Sequence, residues 1–254
     1  MTPVAFHIGS LQIYWYGICM AFAFLTSYGV ASYLAPKRSL PNDVIGDLLT
    51  WTVVGGLGGA RLLFVIQNAD QYLDNPLRIL NFREGGLVFY GGFVCATLVV
   101  AWRAKARKLA PWSVADVLAV AVPMGHAIGR IGCFLHGCCH GRPYYRAYAI
   151  RYAASPDVSY LPIQLVAAAG NACLALFLLF LFHRKSLKGR IFPIYAMLYA
   201  ILRFSTEFGR GDYGTRPGGL TPAQWVCFLI FPAGMALWRY TGPRQPQDEN
   251  PDSA

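Results

Sequence analysis

Apolar residues along this chain gather into seven long runs separated by short polar, glycine-bearing or proline-bearing stretches: 11–34, 47–67, 86–102, 113–135, 161–183, 191–208 and 219–240. About 20 residues at helical rise cross a bilayer's hydrocarbon, so each run is long enough to span it. The third is the shortest and is rich in glycine. The pattern predicts an all-α polytopic membrane protein with seven transmembrane helices, whose glycine-rich re-entrant or loop segments line a central cavity. One helical domain is expected over 1–240. The polar, proline-rich tail 241–254 should be a disordered cytoplasmic end.

Composition supports this pattern. Of 254 residues, 56% are hydrophobic and only 13% charged, with mean hydropathy +0.40; soluble domains carry nearer a quarter charged residues. The net charge of +10 is split among short loops. It forms no basic face for a duplex, so no nucleic-acid partner is expected. With the amino terminus outside, the cytoplasmic segments hold twelve basic residues, including all five lysines, and the external ones seven. That is the positive-inside arrangement, and seven crossings then leave the carboxyl terminus in the cytoplasm. The opening MTPVAFHIGS has no basic n-region, so the first helix is expected to stay in the protein.

Three arginines lie within or at the rims of the runs: Arg61, Arg130 and Arg203. A guanidinium at membrane depth keeps its charge and persists where it meets an anion, a partner or water. A phospholipid headgroup is the natural anion there. The densest segment, Gly125 to Tyr152, is read as a membrane helix broken at Gly132, Gly137, Gly141 and Pro143, followed by a basic loop. His126 and Arg130 stand one turn apart on that helix and face the same way. In YAILRFSTEFGRGD, Tyr199, Arg203 and Glu207 recur every four residues on one face, with Arg210 one turn beyond. Mutual neutralisation of Arg203 and Glu207 is the simpler account. Yet an ion pair alone is weak reason for placing charge at depth. A third cluster, REGGLVFYGGF, brackets Tyr90 with paired glycines; it is either chain threading into the bundle or a glycine-softened helix start.

Cys19, Cys95, Cys173 and Cys227 stand singly in apolar runs and read as small buried side chains. Cys133, Cys138 and Cys139 instead cluster with His136 and His140. These are nitrogen and sulfur ligands suited to zinc or copper, although adjacent cysteines rarely both reach one tetrahedral ion. Packing, substrate contact, a disulfide and a metal site all remain open for them.

The segments YWYG (Tyr14 to Gly17), GGLVFYGG (Gly85 to Gly92), GRIGCF (Gly129 to Phe134), GRP (Gly141 to Pro143), LPIQL (Leu161 to Leu165) and YAILRFSTEFGR (Tyr199 to Arg210) together resemble the prolipoprotein diacylglyceryl transferases. The resemblance runs from about Leu11 to Tyr240. It implies a multi-pass enzyme of the bacterial inner membrane that moves diacylglycerol from phosphatidylglycerol to the lipobox cysteine of a prolipoprotein, leaving a thioether and releasing glycerol phosphate. Its partners would be phosphatidylglycerol, prolipoprotein signal peptides and membrane lipid. Tyr16, Arg130, Gly141, Tyr199, Arg203, Glu207 and Arg210 fall on family motif positions, as do Asp116 and Arg61. The chain departs from the usual family pattern by carrying Tyr90 for a histidine proposed as the base, Cys133 for an asparagine and Cys138 for a glutamate.

Displacement at a glycerol carbon needs a thiolate and a stabilised leaving phosphate. Arg130 and Arg203 are expected to hold the phosphate oxygens, and His126 or Tyr90 to assist thiol deprotonation. Tyr16, Arg61, Cys133, Cys138, Gly141, Tyr199, Glu207 and Arg210 are expected to contact substrate. The chemistry calls for no cofactor and no metal. The rival readings are a catalytically silent phospholipid-binding or transport paralogue, and a Cys/His metal-binding membrane protein.

Overall fold

A computed structural model describes residues 3–9, 11–73, 75–81, 85–153, 155–211 and 217–241. The expected tail 241–254, apart from Thr241, and the loop arginines Arg83, Arg216 and Arg244 lie outside the described residues. Seven α-helices are present among those described: α1 (Trp15–Leu34), α2 (Val44–Gln67), α3 (Phe89–Ala106), α4 (Pro111–His136), α5 (Ile163–Phe182), α6 (Ile191–Glu207) and α7 (Pro222–Tyr240). Four segments, Trp15–Arg38, Val44–Gln67, Pro111–His136 and Ile163–Phe182, are both long and apolar enough to cross a membrane. The protein is a helical, multi-pass membrane protein.

Two corrections to the sequence pattern have local causes. The first run does not begin as helix: β2 (Leu11–Tyr14) pairs antiparallel with β1 (Val4–Ile8), and α1 starts only at Trp15. A second hairpin, β3 (Ile150–Tyr152) with β4 (Ser155–Tyr160), precedes α5, so the helices are joined by two short strand pairs. Nor does α4 break at Gly132; it continues to His136 and stops at Gly137, whose φ of +78° lies in the left-handed region. At Gly132 an added Cβ would sit 2.8 Å from Cys19 Cβ of α1, so this glycine serves a close helix crossing and not a break.

The chain divides into two compact units. The first comprises residues 1–31 and 115–254. In it α1 meets α4 at Gly125 and Gly132, and Ser27 Oγ donates to Ala121 O at 3.1 Å. Gly234 of α7 admits Met197 of α6, and Gly170 of α5 admits Leu202 of α6, so α6 is flanked closely by both neighbours. Asp116, fully buried on α4, accepts from the backbone N–H groups of Gly189 (2.6 Å), Ile191 (2.9 Å) and Phe192 (3.3 Å). Its carboxylate thus takes donors that the first turn of α6 cannot satisfy internally and offsets the positive end of that helix. At the start of α7, Thr221 and Gln224 form a reciprocal capping box.

The second unit, residues 32–114, is built on the α2/α3 pair. The glycines of GGLGGA and FYGG meet face to face: a Cβ at Gly59 would lie 2.6 Å from Gly91 O and 2.5 Å from Cys95 Sγ. The glycine pair at Gly91 and Gly92 is therefore explained by helix packing. At the other end Arg103 grips Asp47 through Nε and Nη2, both 2.9 Å, and Arg107 reaches Asp43 at 2.6 Å. Hydrogen bonding from Arg107 holds the Asp43 carboxyl below its ordinary range.

Candidate active site

The site residues of the first unit are positioned by α4, the turn that follows it, the start of α5 and the last turn of α6. Residues 140–143 run between two other pieces of backbone. Gly141 N donates to Leu161 O (3.0 Å), Arg142 N to Gly209 O (3.0 Å), Leu161 N to Arg142 O (3.1 Å) and Gly211 N to His140 O (3.4 Å). Gly141 bridges antiparallel to Arg210. Only glycine fits there, because a Cβ would lie 2.5 Å from Leu161 O and 2.8 Å from Gly209 O. The family-motif glycine thus fixes where the end of α6, and Arg210 with it, sits against the turn after α4.

Arg130, Cys139, Ile163, Gln164, Ala167, Arg203, Thr206 and Arg210 line one cleft. Three guanidiniums converge on it. Glu207, with no exposed side-chain surface, pairs with Arg203 at 2.6 Å and Arg210 at 3.9 Å. Among the described residues no carboxylate pairs with Arg130. Among the described residues one acid stands against three arginines, a balance that favours an anionic ligand.

His126 and Tyr199 face one another across α4 and α6, ring centroids 5.7 Å apart, and Arg130 and Arg203 both act electrostatically on His126. Tyr16, exposed at the start of α1, lies 5.9 Å from the His136 ring and within electrostatic range of Arg130 and of Cys133, Cys138 and Cys139. The structure therefore brings together Arg130, Arg203, Arg210, Glu207, Tyr199, His126, Tyr16, Gly141 and the three cysteines in one unit.

Arg61 and Tyr90 belong to the second unit. Arg61 is buried, and its guanidinium donates to five backbone carbonyls: Ile79 (2.9 Å), Arg78 (2.8 Å), Asn81 (3.1 Å), Gly85 (2.6 Å) and Gly86 (3.3 Å). Those bonds let this arginine organise the chain that leads into α3. Tyr90 lies in the first turn of α3, half exposed, beside the Phe89 ring.

Gln164 is the site residue that pattern reasoning passed over, although LPIQL marks it. It is 1% exposed, donates to Cys138 O at 2.8 Å and to Tyr152 Oη at 3.1 Å, and lines the cleft with Oε1 lacking a protein partner among the described residues. Burial raises the Tyr152 phenol above its ordinary range. Hydrogen bonding from Cys133 and Cys138 pushes the Cys139 thiol down, with the charges of Arg210 and Arg130 acting the same way, whereas Cys138 is pushed up.

Apolar helices around an arginine-lined cleft define a membrane protein with a site suited to an anion. The family model for prolipoprotein diacylglyceryl transferases matches residues 3–240, and the chain belongs to that family. It is similar to the phosphatidylglycerol–prolipoprotein diacylglyceryl transferases of Finegoldia magna (34% identical, covering 93% of this chain and 94% of the relative), Shouchella clausii (30%; 97% and 93%) and Clostridium tetani (29%; 94% and 97%).

Proposed function

We propose that this protein transfers the diacylglyceryl group of phosphatidylglycerol to the thiol of a prolipoprotein's lipobox cysteine, the first step of bacterial lipoprotein maturation. It works in the inner membrane, crossing seven times with its amino terminus in the periplasm and its carboxyl terminus in the cytoplasm. The observation that carries the reading is the convergence of Arg130, Arg203 and Arg210 on one cleft in a chain of this family.

In this reading the substrate thiolate attacks the glycerol carbon that bears the phosphate ester. A C–S bond forms, the C–O bond breaks, and its electron pair leaves on the phosphate oxygen of glycerol phosphate. Arg130 and Arg203 bind the phosphate oxygens and stabilise that developing charge, with Glu207 fixing Arg203 and Arg210 in place. His126 receives the thiol proton. Tyr16 and Tyr199 border the reacting groups, and Gln164 offers its open Oε1 to the ligand.

Purified protein supplied with labelled phosphatidylglycerol and a lipobox peptide should yield the thioether and free glycerol phosphate. Lipid that binds without thioether formation would replace this reading with a silent lipid-binding protein. His126→Ala should flatten the acid side of the pH-rate profile; an unchanged profile moves the base to Tyr90, His136 or His140.

A further inference from the structure

The turn after α4 gathers three sulfurs. Cys133, Cys138 and Cys139 place their Sγ atoms all within 4.8 Å of one another, each half-buried. Two left-handed residues, Gly137 (φ +78°) and Cys139 (φ +57°), flank Cys138 and wind the chain so that neighbouring cysteines both turn toward Cys133. Two hydrogen bonds hold the turn: Cys138 N donates to Cys133 O at 3.1 Å within it, and from α5 the buried Gln164 amide donates to Cys138 O at 2.8 Å. Left-handed backbone at a non-glycine residue is costly and persists where surrounding contacts fix it. A disulfide would use only two of these sulfurs and leave the third.

We propose that Cys133, Cys138 and Cys139 form a three-thiolate binding site for a soft cation, copper(I) ahead of zinc(II). Thiolates favour copper(I), which accepts three ligands, whereas structural zinc almost always takes four. Among the described residues no fourth His, Cys, Asp or Glu atom joins the group. Binding forms three S–Cu bonds, and the three thiol protons pass to solvent. Cys139 also lines the arginine cleft, so a bound ion draws Arg130 and Arg210 away from a lipid phosphate and inhibits transfer. The inhibition rests on the transferase reading; the binding does not.

Full-length protein in micelles, reduced and kept free of oxygen, should take copper(I) from a chromophoric chelator to about one equivalent per chain. Cys133→Ser, Cys138→Ser and Cys139→Ser combined should abolish this, and serine at Cys19, Cys95, Cys173 and Cys227 should leave it intact. Alkylation footprinting of the unsubstituted protein needs no variant: copper(I) should protect Cys133, Cys138 and Cys139 and leave labelling of the exposed Cys173 unchanged. Failure to bind, binding that survives the triple substitution, or protection of other cysteines overturns the site. Tighter zinc than copper(I) binding overturns the choice of ion.

Discussion

Replacing Gly141 by alanine adds one methyl group where the backbone leaves no room. The new Cβ would lie 2.5 Å from Leu161 O and 2.8 Å from both Gly209 O and Leu161 Cβ, where 3.4 Å begins ordinary contact. Relief requires the chain to part by roughly 0.9 Å on one side. The Gly141–Leu161 hydrogen bond, now 3.0 Å, then exceeds bonding distance, and the Arg142–Gly209 bond beside it stretches as well. Two buried hydrogen bonds lost at about 1–3 kcal/mol each, less partial relaxation, make the variant about 3 kcal/mol less stable. Arg210, bridged to Gly141, moves with the strand. A displacement of about 1 Å near reacting groups lowers kcat/KM on the order of a hundredfold. Thermal unfolding in micelles and transfer to a lipobox peptide measure the two effects, with Gly58→Ala as control because its added Cβ meets nothing within 4 Å. If Gly141→Ala keeps activity within about threefold of the parent, the strand contact is not what positions Arg210.

Glu207→Gln keeps the shape of the side chain but removes the charge between Arg203 and Arg210; breaking so buried a pair should cost about 3–5 kcal/mol and weaken transfer, and an unchanged melting temperature would contradict the pairing. Asp116→Asn leaves one of its three backbone donors at the start of α6 poorly matched and removes the helix-end charge; about 1–3 kcal/mol of stability should be lost with KM little changed, as unfolding and kinetics together would report. Gln164→Leu should lower kcat/KM, since it leaves Cys138 O and Tyr152 Oη without their donor; the same kinetics in the variant and parent decide this.

All seven helices were visible as apolar runs because length and hydrophobicity are local properties. What escaped notice depends on contacts between distant residues. The strand Leu11–Tyr14 is largely apolar and aromatic, so it merged with the helix that follows. Gly132 reads as a breaker in isolation, and only the approach of Cys19 reveals it as a packing residue. Arg61 stands out in sequence as clearly as Arg130, yet its guanidinium meets backbone carbonyls and Arg130 meets an open cleft. The repeat of Tyr199, Arg203 and Glu207 at helical spacing did foretell a shared face, because the helix itself enforces it. Cys133, Cys138 and Cys139 stand out in sequence as a cluster, but that both neighbouring cysteines turn toward Cys133 depends on two left-handed residues and a glutamine 26 positions beyond Cys138.

In the proposed mechanism, guanidiniums in one cleft grip the phosphate of a membrane lipid while a thiolate displaces it. Arg130→Ala and Arg203→Ala, each purified from the membrane and assayed with phosphatidylglycerol and a lipobox peptide, test it most directly. Each variant should insert correctly and form thioether at least about a hundredfold more slowly. Transfer at the parent's rate in either variant would contradict it.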